Sequence, residues 1–347
     1  MESKLAQPLS FPDASAPEPA AALFDPAQNA WVLSRYRDVL AALREPALHQ
    51  VVPKKAPVRL REDVLSTLSQ SKIAEWQEQI EPLADRIIAG LPPGAPVDLV
   101  SEVIRPWSLA VTITMLGLDA AAVRTLAALQ PRLLSELPAR QRSRRSFKSL
   151  WLAAQRRIAN ARLQRLLRSV RMRGVQSLFL GLSQTLPEFL ANSWLALLEH
   201  PFQLSRLRAE PHLVPRAIEE LLRYSGPVHS LMREATQTIE LGGVTITQGQ
   251  RVIVKVALAN RDPEQFPDPD SLDITRQNAG HLALGAGPHS CVGALLVRMA
   301  AISATRAFAD KMAGVELVEP VVWRRGSVLQ SPSCLRVHYG PQRVPMN

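Results

Sequence analysis

Cys291 is the residue of this chain whose surroundings give it the clearest chemistry. It lies in the stretch His281-Leu-Ala-Leu-Gly-Ala-Gly-Pro-His-Ser-Cys-Val-Gly-Ala-Leu-Leu-Val-Arg-Met299, bracketed by Gly285, Gly287 and Gly293. The residues after Val292 carry the apolar spacing of a buried helix. Glycines placed this way let the backbone turn tightly or approach another group closely, and they feed Cys291 toward a helix start. Helix N-terminal amides favour a thiolate and can hydrogen-bond its sulfur, which suits a permanently ionised metal ligand. A thiol after a Gly-rich turn is equally at home as a buried structural cysteine, so the spacing alone leaves both readings open.

Other segments carry chemistry-bearing residues with bland alternatives beside them. Gly181-Leu-Ser-Gln184-Thr185 sits in an apolar run, where a Thr hydroxyl can simply bond back to its own helix. Glu220 and Arg223, at i and i+3, are an ordinary helix pair. Arg59 and Arg61 read as solvated helix charges. His229 reads as a core histidine satisfied by backbone.

The nineteen-residue stretch resembles the haem-binding loop of the cytochrome P450 family, matched at Gly285, Gly287, His289, Cys291 and Gly293, with Leu284 where the family usually has Phe. The resemblance runs roughly from residue 24 to 340. It implies a mostly α fold with a small β-sheet region, and haem b with Cys291 as its metal ligand. Arg61, Arg233, His289, Gly285 and Gly293 are the further cofactor-binding positions that it implies. Pro57 stands where the family often has a histidine. Thr185 matches a family threonine that handles protons for dioxygen activation, and Gln184 replaces the acid beside it, so both are the implied catalytic positions. Gly181, Val228, His229 and Leu231 are implied pocket residues. Glu220, Arg223 and Arg276 match a structural cluster behind the haem. The function implied is monooxygenation of an apolar or carrier-tethered substrate in specialised metabolism, with electrons from a ferredoxin and its reductase. The alternative is a catalytically impaired haem-binding partner protein or a peroxide-dependent haem enzyme.

The elements that must position these residues are legible in part. Trp31 to Leu43 reads as a strand running into a helix, and Ile73 to Ile88 as a helix. Asp98 reads as an N-cap for the apolar helix ending at Leu116. Val175 to His200 reads as a buried central helix kinked at Pro187, and Arg216 to Tyr224 as another helix. Ile239 to Ile246 reads as a hairpin turning at Gly242-Gly243, and Arg251 to Val256 as a strand. Residues 1–20 read as a loose tail, and 21–347 as one haem-binding domain.

Of 347 residues, 46% are apolar and 5% aromatic, enough for a substantial core. The N-terminus lacks the basic-then-apolar order of a signal peptide, and the expectation is a soluble, cytoplasmic protein. The net charge of +10 is concentrated: Leu137 to Pro187 holds 12 Lys or Arg and no acid, leaving 29 basic against 31 acidic residues elsewhere. That stretch suits an acidic carrier protein or an anionic membrane surface, or is a solvated basic face. Sparse aromatics argue against nucleic acid.

Overall fold

A computed structural model describes residues 22–50, 68–92, 94–119, 181–277, 280–325 and 329–340, with isolated helical positions between 122 and 179. The first strands, β1 (Leu23–Asp25) and β2 (Ala30–Leu33), form a hairpin that leads into α1 (Tyr36–Arg44) and β3 (Leu48–Gln50). Val39, Ala42 and Leu43 recur at helical spacing along α1, so one face of the helix is buried on the sheet. The sheet is completed by β5 (Leu231–Ala235) and β8 (Arg251–Val254), in the order β1-β2-β8-β5-β3, with β2 and β8 parallel and the other pairs antiparallel. The hairpin of β6 (Ile239–Leu241) and β7 (Val244–Ile246) turns at Gly242-Gly243.

The larger, helical layer begins with α2 (Gln70–Ala89), whose first turn is closed by Ser69 Oγ accepting from the Lys72 amide at 3.2 Å. After the short β4 (Val97–Asp98), Asp98 accepts from the Val100 amide, and a π-wound segment, Leu99–Ile104, continues into α3 (Arg105–Leu116). Among the described residues this Leu99–Leu116 window is long and apolar enough to cross a membrane, and 56% of it is buried inside the fold. The helix α4 (Leu186–Glu199) is buried on nearly every side, which is why its sequence is apolar all round. Its Trp194 stacks on Phe308 of the long helix Ala294–Lys311 at 4.4 Å between ring centroids and donates from Nε1 to Thr305 Oγ1 at 3.2 Å.

A π-wound turn, Gly181–Thr185, runs directly into α4, and Pro187 is the second residue of the α-helical segment, so the change of helical winding falls where the sequence placed a helix-perturbing proline. The chain then runs through α5 (Pro201–Ala209), α6 (Val214–Ser225), the short α7 (Val256–Ala259) and α8 (Ala294–Lys311). It closes with β9 (Glu316–Leu317), β10 (Val322–Arg325), β11 (Gln330–Cys334) and β12 (Arg336–His338). Pro57, Arg61, the N-terminal tail and Arg140 to Lys148 of the basic stretch lie outside the described residues. At the described positions of that stretch Arg157, Arg162 and Arg165 are exposed, as are Ile158 and Ala161, while Ala159 and Leu163 are buried.

The structure brings Glu220, Arg223 and Arg276 together out of water. Arg223 grips the Glu220 carboxylate with two bonds of 2.8 Å, and Arg276 Nε donates to the same carboxylate at 3.1 Å. Arg223 also donates to the carbonyls of Asn260, Pro269 and Ser271, binding α6 to the loop that follows α7. Removing one partner strands a buried charge, so Arg223→Met is expected to cost about 3–5 kcal/mol in stability. A urea unfolding midpoint unchanged from the parent would show that the cluster does not brace the fold.

Candidate functional site: a cysteine pocket between two helices and a sheet

The loop carrying Cys291 is fixed from three directions. Gly285 and Gly287 have φ of +72° and +65°, a conformation that L side chains rarely adopt. A Cβ at Gly287 would lie 2.8 Å from Arg44 Cα and from the Leu43 carbonyl oxygen, so the loop abuts the end of α1 at backbone distance. The Cys291 amide donates to the Leu284 carbonyl at 2.7 Å, and the Leu282 amide donates to Asn260 Oδ1 at 2.7 Å. Both cysteines are thiols, and Cys291 is exposed. The helix begins at Ala294, with Gly293 at its N-cap, rather than at Cys291 itself, because the intervening residues form a turn. A Cβ on Gly293 would stand 4.0 Å from the Cys291 sulfur.

Cys291 opens onto a cavity whose walls come from distant parts of the chain. Gly181, Thr185, Leu186 and Phe189 supply the α4 side, and Pro227, Val228, Leu231 and Arg233 the side leading into β5. Gln50, Leu222 and Val297 also line it, as do Leu284, Gly285 and His289 of the Cys291 loop. Of the residues expected here, Gln184 is half-buried in the same π-wound turn as Thr185 but is not among those lining the cavity. His229 also stays out of the lining; it is 5% exposed, turned into the core while Val228 faces the cavity, as alternation along an extended segment requires.

Arg233 tests whether a haem suits this cavity. It is 2% exposed; Nη1 donates to its neighbour's carbonyl, Met232 O, at 3.1 Å, while Nε is buried without a partner. Burial pushes its pKa down. A cation so placed calls for an anion. A propionate would supply one, the Cys291 thiol would supply a ligand for the iron, and the apolar walls would suit the porphyrin face. The residues therefore fit the group. Arg61 lies outside the described residues; of the side chains the resemblance implies for the carboxylates, Arg233 and His289 line the cavity.

A further network stands behind the Cys291 loop, and the sequence reading missed it. Arg298 of α8 holds Glu219 with bonds of 2.6 and 2.8 Å, and His281 Nε2 lies 3.2 Å from the same carboxylate. Burial alone would raise the Glu219 pKa, but the bonds from His281 and Arg298 outweigh it and hold the group at about 2. Glu188, buried on α4, pairs with Arg105 at 3.6 Å and also with Arg324. Phe189, one turn beyond Thr185, could have been placed in the pocket from helical spacing; Gln50 could not.

Residues 205–302 match the family model described as Cytochrome P450. The chain is 30% identical over 355 residues to the nocardicin C N-oxygenase of Nocardia uniformis subsp. tsuyamanensis, covering 88% of each. It is 28% identical to the vitamin D(3) 25-hydroxylase of Pseudonocardia autotrophica, covering 94% of this chain and 92% of the relative. Among solved structures it is similar in fold to CYP109B1, a versatile cytochrome P450 enzyme of Bacillus subtilis, with a TM-score of 0.82 at 24% identity over 92% of this chain and 96% of that one.

The Glu219 pKa is depressed on folding, so its contribution to stability is present above the unfolded carboxylate value of 4.5 and fades as the pH falls from there toward about 2. Glu219→Gln is expected to flatten the acid limb of the stability curve in that window, measured by denaturant unfolding at stepped pH. Identical acid limbs for variant and parent would remove Glu219 from the balance.

Proposed function

The chain belongs to the cytochrome P450 family, haem b enzymes of oxygenation, and from its cavity we propose monooxygenation of an apolar organic substrate with dioxygen and electrons from a separate ferredoxin and reductase. The observation that carries this reading is the placement of Cys291 and Thr185 on one cavity whose remaining walls are mostly aliphatic or aromatic. Bound haem would supply the oxidising chemistry, with Cys291 as its thiolate ligand.

The chain's own residues define the rest. Leu186, Phe189, Leu222, Val228 and Leu231 exclude water and favour an apolar substrate through the area they remove from solvent. Arg233 and His289 would hold the carboxylates and so set the orientation of the ring. Among the described residues lining the cavity, Thr185 carries a hydroxyl, able both to donate and to accept a proton at Oγ1. Gln184 cannot ionise near neutral pH and lies off the cavity, so Thr185 works without an acid immediately before it. That departure favours a second reading, turnover driven by added peroxide, in which delivery of protons to dioxygen is not required.

Two measurements test the proposal. The parent protein, reduced and exposed to carbon monoxide, is expected to give the difference spectrum of thiolate-ligated haem, and Cys291→Ala to lose it; a variant that kept the spectrum would disprove the ligand. Thr185→Ala is expected to divert about 90% or more of reducing equivalents to peroxide or water, since general acid–base groups are worth 10²–10⁴-fold. Unchanged coupling of electron consumption to product would remove Thr185 from proton delivery.

A further inference from the structure

The end of β3 stands beside the site at a place the Cys291 loop cannot leave. Gly287 abuts Arg44 and Leu43 at the end of α1, and the ring of His49 lies 6.3 Å from that of His289, edge to face. The last residue of the strand, Gln50, pairs in register with Arg233 of β5, as His49 does with Glu234 and Leu48 with Ala235. Residues directly opposite across an antiparallel pair share a face, with Cβ atoms about 4.5–5.5 Å apart. Gln50 and Arg233 therefore point the same way, and both line the cavity. His49, alternating to the other face, is left to meet His289.

Arg233 brings one charge and an unpartnered buried Nε to this spot. A carboxylate has about four lone-pair sites, more than one edge of a guanidinium fills. A neutral amide alongside adds N–H donors without adding a second cation to be desolvated beside the first. We propose that Gln50 is a further binding residue for the haem carboxylates, its side-chain amide donating to the same propionate that Arg233 holds. This rests on the haem reading above and adds to it a residue from the strand side of the pocket. It also gives a role to the β3–β5 pairing: the ladder sets the spacing of two donors that lie 183 positions apart in the chain.

The test is haem release from the holoprotein to excess apomyoglobin, for the parent, Gln50→Leu and Gln50→Glu, each loaded with haem b or with its dimethyl ester. With haem b, Gln50→Leu is expected to release about tenfold faster or more, a tenfold change corresponding to ~1.4 kcal/mol, about the least that a hydrogen bond to a charged group contributes. Gln50→Glu is expected to be faster still, because a carboxylate then faces a carboxylate. With the dimethyl ester, which has no anionic oxygens, all three proteins are expected to release within about twofold of one another, the difference left by a neutral contact. Equal release of haem b from parent and Gln50→Leu overturns the proposal. An acceleration that persists undiminished with the ester also overturns it, since the amide would then be supporting the strand and not the carboxylate. A parent that bound no haem b would bring down the haem reading as well, an outcome distinct from both.

Discussion

A carboxylate without access to solvent, Glu220, is the constraint from which the position of the site follows. Left alone in the interior it would be prohibitively costly; held bidentately by Arg223, bonded by Arg276 and accepting the Asp273 amide at 3.1 Å, it becomes a junction. The guanidiniums have further donors, and those reach backbone carbonyls from Asn260 to Ser271. Asn260 in turn accepts the Leu282 amide at the entrance to the Cys291 loop. A chain of hydrogen bonds thus runs from one buried anion to the loop that presents the thiol. The thiol's position is inherited from a cluster that does not itself line the cavity.

The opposite wall of the cavity is held in a similar way by side chains on α4. Asn192 donates to the carbonyls of Ser225 and Gln330, both at 3.0 Å, and the Gln330 amide donates to the Pro227 carbonyl at 3.3 Å. Pro227 and Val228 line the cavity, so the end of α6, the strand β11 and the central helix meet at its edge. Glu188, with Arg105 and Arg324, ties the same helix to α3 and β10. The apolar faces supply most of the burial free energy, at roughly 25 cal/mol per Å². The polar ties choose which packing of those faces is adopted, because each leaves a costly orphan in any other arrangement.

Local spacing carried much of what could be read in advance. Glycines around a cysteine, a threonine in an apolar helix, Glu and Arg three apart, and Asp98 at a helix start are relations within one element, and the backbone that realises them is set by a few neighbouring residues. The opening strand and helix, the hairpin at Gly242-Gly243 and the helix from Val214 to Ser225 belong to the same class. The sequence by itself therefore determined the element types, the cysteine loop and the residue types that could serve it.

Only the tertiary structure decided which of these meet. Gln50 faces Arg233 because two strands pair in one register, and a slip of one residue would turn it to the other face. His229 and Gln184 lie next to cavity residues in sequence yet are not among those that line it, since which side chains reach the cavity depends on how the segments pack. Glu219 finds Arg298 and His281, and Glu188 finds Arg105 and Arg324, through helix and strand packing that brings together distant segments. Periodicity records how a segment repeats along itself; the partner across a gap is fixed by how whole faces fit together, and that information is spread over the entire chain.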